Sequence, residues 1–265
     1  MCSERWQFTG HDGQTLAARL DLPDPPPIAT TLFAHCFTCG KDVVAASRIA
    51  AGLAAHGIAT LRFDFTGLGS SDGDFANTNF TTNLQDLLAA ADAMHAHSMA
   101  PALLIGHSLG GAAALAAAAS IPEARAIVTI GAPFDPGHVL HLITANLPEI
   151  AARGEAVVSL GGRPFTIKQQ FVEDLRAHDP VASIRHLGKA LLVMHAPTDA
   201  IVGIDNARQI FEAARHPKSF IALPDASHLL DRRADAEYAA AVLAAWSSRY
   251  VVAVTRGEVP ALHGR

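Results

Sequence analysis

Ser108 lies in Gly106-His107-Ser108-Leu109-Gly110, a serine with a glycine two residues away on either side. A serine hydroxyl is a poor nucleophile, so chemistry at Ser108 requires a tight turn that exposes it to a base and to free backbone NH groups. Such a turn forces strained angles on the serine and brings neighbouring backbones close, which is why Gly106 and Gly110 must lack a Cβ. The flanks fit. Residues 102–105 are a short apolar run after Pro101, and residues 109–120 are rich in strong helix formers, so the serine is expected between a strand and a helix. A glycine-rich structural turn is the alternative, and it explains the flanks less well.

A serine nucleophile needs a base, and the base needs an orienting acid; both are expected on loops that follow later strands, acid first. After the apolar run 191–195 comes Ala196-Pro197-Thr198-Asp199, and after the run ending at Leu223 comes Pro224-Asp225-Ala226-Ser227-His228. Asp199 is the expected acid and His228 the expected base. Asp135 is the main rival to Asp199, with Asp205 and Asp225 also nearby, and any one of fourteen histidines is more often structural. His107 adjoins the nucleophile in sequence and reads as packing. A tetrahedral oxyanion needs two preorganised NH donors, here expected from Leu109 and Phe37. Phe37 lies in Phe33-Ala34-His35-Cys36-Phe37-Thr38-Cys39-Gly40-Lys41-Asp42, between a strand and a helix.

Cys36 and Cys39 form a C-x-x-C pair that admits a redox role, and a metal site with His35 is a more distant idea. The spacing of a second ligand pair is missing, so no metal is expected, and packing around the loop is the favoured account. The run Arg62-Phe63-Asp64-Phe65-Thr66-Gly67-Leu68-Gly69-Ser70-Ser71-Asp72-Gly73 is not a phosphate cradle: its glycine spacing is wrong and Asp72 and Asp74 would repel a phosphate. It reads as a brace for the Phe37 loop. His95 with His97, and His138 with His141, read as exposed helix residues.

The elements that must position these groups follow from periodicity. Residues 3–9 and 15–22 read as an opening hairpin, 28–34 as a strand, 42–56 as a helix, 58–63 as a strand and 83–97 as a helix. After the serine come strands at 126–130, 190–195 and 219–223, a helix near 205–214, and a last helix carrying Tyr238, Val242, Leu243, Trp246 and Tyr250 on one stripe. Alternating strands and helices imply an α/β fold with a mostly parallel twisted sheet and helices on both faces. Residues 133–186 break the rhythm with helical pieces and a hairpin, 156–160 and 163–167, turned at Gly161-Gly162. The expected organisation is a core of 1–132 and 187–250, a cap insertion at 133–186 above the strand ends, and a tail at 251–265.

Composition narrows the partners. Half of the 265 residues are hydrophobic, enough to bury the core of one domain. The net charge is -5 and no basic cluster appears, so nucleic acid and anionic lipid are not expected. The N-terminus offers no apolar signal core, and the alanine-rich run 110–121 is too short to span a bilayer, so a cytoplasmic protein is expected. Three cysteines do not suggest a secreted disulfide framework.

With these residues placed, the chain resembles the α/β-hydrolase superfamily over essentially its whole length. Phe33 to Asp42, Phe63 to Gly73, Gly131-Ala132-Pro133 and Met194 to Asp199 are similar to the hydrolase half of proteins that fuse an α/β-hydrolase to an OsmC-like domain. The resemblance implies the α/β-hydrolase fold and a serine hydrolase without a cofactor. OsmC-like domains are linked to peroxide defence through their own reactive cysteines, an association that does not carry over to Cys36 or Cys39. With 15 residues after Tyr250, no such domain is expected here. The expected reaction is cleavage of a small-molecule carboxylic ester through Ser108, His228 and Asp199. The alternatives are a thioesterase, a small-peptide hydrolase, or a non-hydrolytic binding or redox-accessory protein using Cys36 and Cys39. Self-association into a homo-oligomer is left open.

Overall fold

A computed structural model describes residues 2–251, so the expected tail lies, beyond Val251, outside the described residues. Eight strands form one sheet in the order β1-β2-β4-β3-β5-β6-β9-β10. They are β1 (Cys2–Thr9), β2 (Thr15–Leu22), β3 (Ala29–Ala34), β4 (Ile58–Phe63), β5 (Leu103–His107), β6 (Ala126–Ile130), β9 (Ala190–His195) and β10 (Lys218–Ala222). β1 and β2 pair antiparallel with each other, and β2 pairs antiparallel with β4; from β4 to β10 the pairing is parallel.

The central strands are apolar on both faces, as helix-covered parallel strands must be. Leu104, Ile127, Leu191 and Val193 face one core, which they share with α2 (Phe80–Ala96), α3 (Leu109–Ala117) and α7 (Asp205–Ala213). Their sequence neighbours Ile105, Val128, Leu192 and Met194 face the other, against α1 (Val44–Ala55) and α8 (Arg233–Val251). Because β5, β6, β9 and β10 run parallel, their carboxyl ends share one edge of the sheet, and the loops that leave it carry Ser108, Asp199 and His228.

Two helices begin away from their expected starts. α1 begins two residues after Asp42, whose carboxylate is engaged by Arg19 (3.1 Å). α2 begins three residues before Asn83, because the Asn79 side chain accepts the Thr82 NH (2.8 Å) while Thr82 Oγ1 accepts the Asn79 NH (2.8 Å). That is a capping box in which threonine replaces the usual glutamate, which hid it from motif reading. α3 is shorter than expected: it tightens into a 3-10 turn over Ala118–Ser120.

Between β6 and β9 the chain forms a 3-10 stretch (Pro136–Asn146), α4 (Leu147–Arg153), a hairpin of β7 (Glu155–Leu160) and β8 (Arg163–Lys168), α5 (Gln169–Ala177) and α6 (Pro180–Arg185). The hairpin turn falls on Gly161 and Gly162, both at positive φ (57° and 77°), as a two-residue hairpin loop demands. β8 packs on the turn Phe75–Asn77, α5 on α2, and α6 on α3. Among the described residues no helix is long and apolar enough to cross a membrane.

Candidate active site

β5 runs to His107 and α3 starts at Leu109, leaving Ser108 as the N-cap residue between them. Its backbone sits at φ 54°, ψ -126°, a costly conformation for a residue with a side chain. The Ser108 NH donates to Ile130 O (2.9 Å) and its carbonyl accepts from the Gly111 NH (2.8 Å), so neighbouring backbone holds the strain in place. The two motif glycines are required by contact: a Cβ on Gly106 would lie 2.2 Å from Gly110 O, and one on Gly110 would lie 2.4 Å from both Ala34 O and His35 O. Neither gap admits a methyl group.

His228, on the loop between β10 and α8, reaches Ser108: its Nε2 accepts from Ser108 Oγ at 3.0 Å. On the opposite side of the ring, Nδ1–H donates to Asp199 Oδ2 at 2.7 Å. Asp199 follows β9, its side chain 1% exposed, and its second oxygen accepts the Ile201 and Val202 NH groups at 2.9 Å each. Burial pushes the Asp199 carboxyl up, but the His228 hydrogen bond, the Val202 NH, the His228 charge and the Ile201 NH outweigh it and hold the group below its ordinary value. The rival acids lie outside this contact. Asp135 is exposed and caps the 3-10 stretch through the Gly137 NH (2.7 Å), Asp205 pairs with Arg208 (2.8 Å), and Asp225 lies in a turn at φ 56°.

The Phe37 loop is held from several sides. His35, 1% exposed, donates from Nδ1 to Cys36 O (2.8 Å); burial lowers its pKa, so the ring is neutral. Asp64, fully buried, accepts from the Lys41 NH (2.5 Å), Lys41 Nζ (2.7 Å) and the Ser70 NH (2.9 Å), so the glycine-rich run does brace this loop. Thr38 takes a positive φ of 58°, and its carbonyl accepts from Arg163 at the start of β8. Within the described residues the Phe37 NH has no hydrogen-bond partner, and the Leu109 NH, at the first turn of α3, is one of the donors a helix leaves unpaired.

Three findings depart from expectation. Cys36 and Cys39 are not a packing pair but a disulfide, bracketing Phe37 and Thr38, while Cys2 is free and exposed. A three-residue separation places two cysteines across one turn, and the Cys39 NH donates to Cys36 O (3.1 Å) to close it. His107 is buried, as expected of packing, yet its Nε2 also meets His228 O at 2.7 Å. His138 is half-buried rather than exposed, its Nε2 donating to Ile201 O (3.0 Å). Among the described residues no group of three His, Cys, Asp or Glu side chains has the arrangement of a metal site.

A sheet of this order, entered by an antiparallel hairpin and carrying a serine at the sharp turn after its central strand, is the α/β-hydrolase fold. Residues 26–159, half of the chain, match the family model described as Serine aminopeptidase, S33, and the chain belongs to that family. It is similar to an esterase domain of a Rhodothermus marinus protein, 50% identical, with 94% of this chain and 99% of that one covered at a TM-score of 0.78. Est1E from Butyrivibrio proteoclasticus, in a structure with ferulic acid bound, shares the fold at 22% identity and a TM-score of 0.75, covering 91% and 98%. The mouse mitochondrial palmitoyl-protein thioesterase ABHD10 is 29% identical over 189 residues, 68% of this chain but only 62% of that protein's length.

Proposed function

We propose that this chain is a serine hydrolase that cleaves carboxylic esters through an acyl-enzyme on Ser108, with His228 as base and acid and Asp199 as its orienting partner. The observation that carries the proposal is the continuous contact from Ser108 Oγ through the His228 ring to Asp199, 3.0 Å and then 2.7 Å. In the first half-reaction Oγ bonds to the ester carbonyl carbon as its proton passes to Nε2. The Phe37 and Leu109 NH groups take the oxyanion; its collapse breaks the bond to the alcohol, which leaves with the proton from Nε2. Water repeats the sequence on the acyl-enzyme and releases the acid. The imidazolium formed in each half is balanced by the Asp199 carboxylate.

Residues 133–186 are proposed to act as the cap that selects substrate. They touch the Phe37 loop through Phe171, stacked on Phe37 at 5.5 Å, and through Arg163 on Thr38 O. The apolar crevice beside this loop, lined by Phe37, Phe75, Leu109 and Ala113, is the proposed acyl site. A thioester substrate is the second reading, favoured by the likeness to a palmitoyl-protein thioesterase. The motif-level resemblance to OsmC-fused hydrolases belongs to the same proposal.

A fluorophosphonate probe should label the wild type and not Ser108→Ala, and the same substitution should abolish hydrolysis of p-nitrophenyl esters. An unlabelled wild type, or an active Ser108→Ala, would overturn the proposal. Matched oxygen and sulfur esters of one acyl group decide between the two substrate classes by their kcat/KM ratio.

A further inference from the structure

His107 is the last residue of β5, directly before the nucleophile, and is 3% exposed. Its Nε2 lies 2.7 Å from the backbone carbonyl of His228, 121 positions away in the chain, and the two rings sit 5.2 Å apart at their centroids. A carbonyl only accepts, so the nitrogen facing it carries the proton and donates. Burial first, and the neighbouring His228 charge second, lower the His107 pKa to about 4, so the ring is neutral and a single tautomer makes this bond.

The loop that carries His228 has little else to fix it at that residue. Apart from the His228 side-chain bonds to Ser108 and Asp199, its other hydrogen bonds are internal, from the Ala226 NH to Leu223 O (3.3 Å), from the Leu230 NH to Ser227 O (3.1 Å) and from Ser227 Oγ to Asp231 (2.8 Å), or lie at its two ends, among them the Leu223 NH to His195 O (2.9 Å) and Arg48 to Asp231 O (2.9 Å). Asp225 and Leu230, three residues before and two after His228, both take positive φ (56° and 49°), so the loop does not settle into regular structure there. Among the described residues, the His107 bond is the one that joins the backbone of residue 228 to the sheet. β5 is a central strand, paired on both sides, and it carries Ser108 as the next residue.

We propose that His107 is a positioning residue of the hydrolytic site: by donating to the carbonyl of His228 it registers the base against the strand that presents the nucleophile. One rigid element then sets both partners of the Oγ–Nε2 contact. The inference rests on the role proposed above for Ser108 and His228. It adds a function to a side chain that the reaction itself does not use.

The test pairs two substitutions in the full chain. His107→Phe keeps the ring volume and removes the donor, while His107→Gln restores an NH donor at the reach of Nε2. A displacement of about 1 Å in a reacting group costs on the order of 100-fold, so the Phe variant should lose about 10- to 100-fold in kcat on p-nitrophenyl acetate, with KM unchanged within about twofold. The Gln variant should recover most of that loss at the same thermal midpoint. The low-field proton resonance of the His228–Asp199 hydrogen bond should persist in Gln and broaden in Phe. If His107→Phe does not fold, His107→Met takes its place as the variant lacking a donor. Equal kcat in wild type and the variant lacking a donor, or a Gln variant no better than it, overturns the positioning role. Fluorophosphonate labelling separates the two ideas: a labelled wild type with an unimpaired variant lacking a donor sinks only the role of His107, whereas an unlabelled wild type sinks the hydrolytic site and this inference with it.

Discussion

Replacing Asp199 by asparagine tests the electrostatic logic of the site with almost no change in shape. In the native site one carboxylate oxygen accepts two backbone NH groups, from Ile201 and Val202 at 2.9 Å each, and the other accepts His228 Nδ1–H at 2.7 Å. An asparagine has one acceptor oxygen, and two fixed backbone donors compete for it against one ring nitrogen. The oxygen therefore settles on Ile201 and Val202, and the NH2 group faces His228. Nδ1 must then accept, the ring proton moves to Nε2, and Nε2 presents a hydrogen to Ser108 instead of a lone pair. Loss of the correct tautomer costs about 10⁴ in turnover, equivalent to ~5 kcal/mol of barrier.

Stability should move the other way in acid. The Asp199 carboxyl titrates below its ordinary value in the fold, because its hydrogen bonds and the His228 charge outweigh the opposing effect of burial. A depressed folded pKa contributes stability that is fully present above the unfolded value, about 3.9, and is lost as pH falls through the lower folded value. Asparagine does not titrate, so Asp199→Asn should lack this contribution at neutral pH and melt below the wild type there, with a shallower loss of stability below about pH 4, so that the two converge in acid. Steady-state hydrolysis with active-site titration, together with thermal melts across pH, reads both effects. A loss of turnover under about tenfold in a folded variant would refute the tautomer argument, since nothing else in the site orients the ring through Nδ1.

Gly106→Ala would drive a methyl group to 2.2 Å from Gly110 O and 2.5 Å from Gly111 Cα, both backbone atoms that cannot rotate away. The variant should lose about 3 kcal/mol or more in urea unfolding, and wild-type stability would refute the close approach. The double change Cys36→Ser, Cys39→Ser opens a loop of four residues, for which chain entropy allows about 2 kcal/mol. It should also lower kcat, because Phe37 lies inside that loop; unchanged turnover would show that Asp64, His35 and Arg163 suffice to hold the proposed oxyanion donor.

What the residue pattern revealed, and what it hid, follows from the range of each interaction. β4, β6 and β9 occur at the residues their apolar runs mark out, because a strand buried on both faces is predominantly apolar. The elbow was legible from Gly106 and Gly110, since both are demanded by contacts within a few residues or with the adjacent strand. Asp199 and His228 were legible because each follows a recognisable strand in the required order. The His107 contact was not: its acceptor is a backbone carbonyl, which no residue type announces, and the donor stands 121 positions away. The Cys36–Cys39 bond was hidden for another reason. C-x-x-C spacing fits packing, redox chemistry and a structural bridge alike, and only the turn that brings the two side chains together separates them.

Two residues with side chains, Ser108 and Thr38, stand at positive φ (54° and 58°) in the two loops that carry the expected oxyanion donors. Such conformations persist only where the surroundings over-determine them. At Ser108 the constraint comes from the sheet and from α3, elements that pack as one body. At Thr38 it comes from three sources of different kind: a covalent bridge across the turn, the buried Asp64 cluster, and Arg163 from the β7–β8 hairpin. The first two belong to the sheet side and hold the loop whatever the insertion does. The third belongs to the segment proposed to select substrate, and the Phe37–Phe171 stacking joins the same two parts. The proposed Leu109 donor is therefore held through α3, on which α6 of the insertion packs, whereas the loop of the proposed Phe37 donor is itself touched by the insertion at Phe37 and Thr38. Sequence change in the hairpin should alter oxyanion stabilisation as well as substrate fit, and the two effects separate in kinetics because the first lowers kcat and the second raises KM.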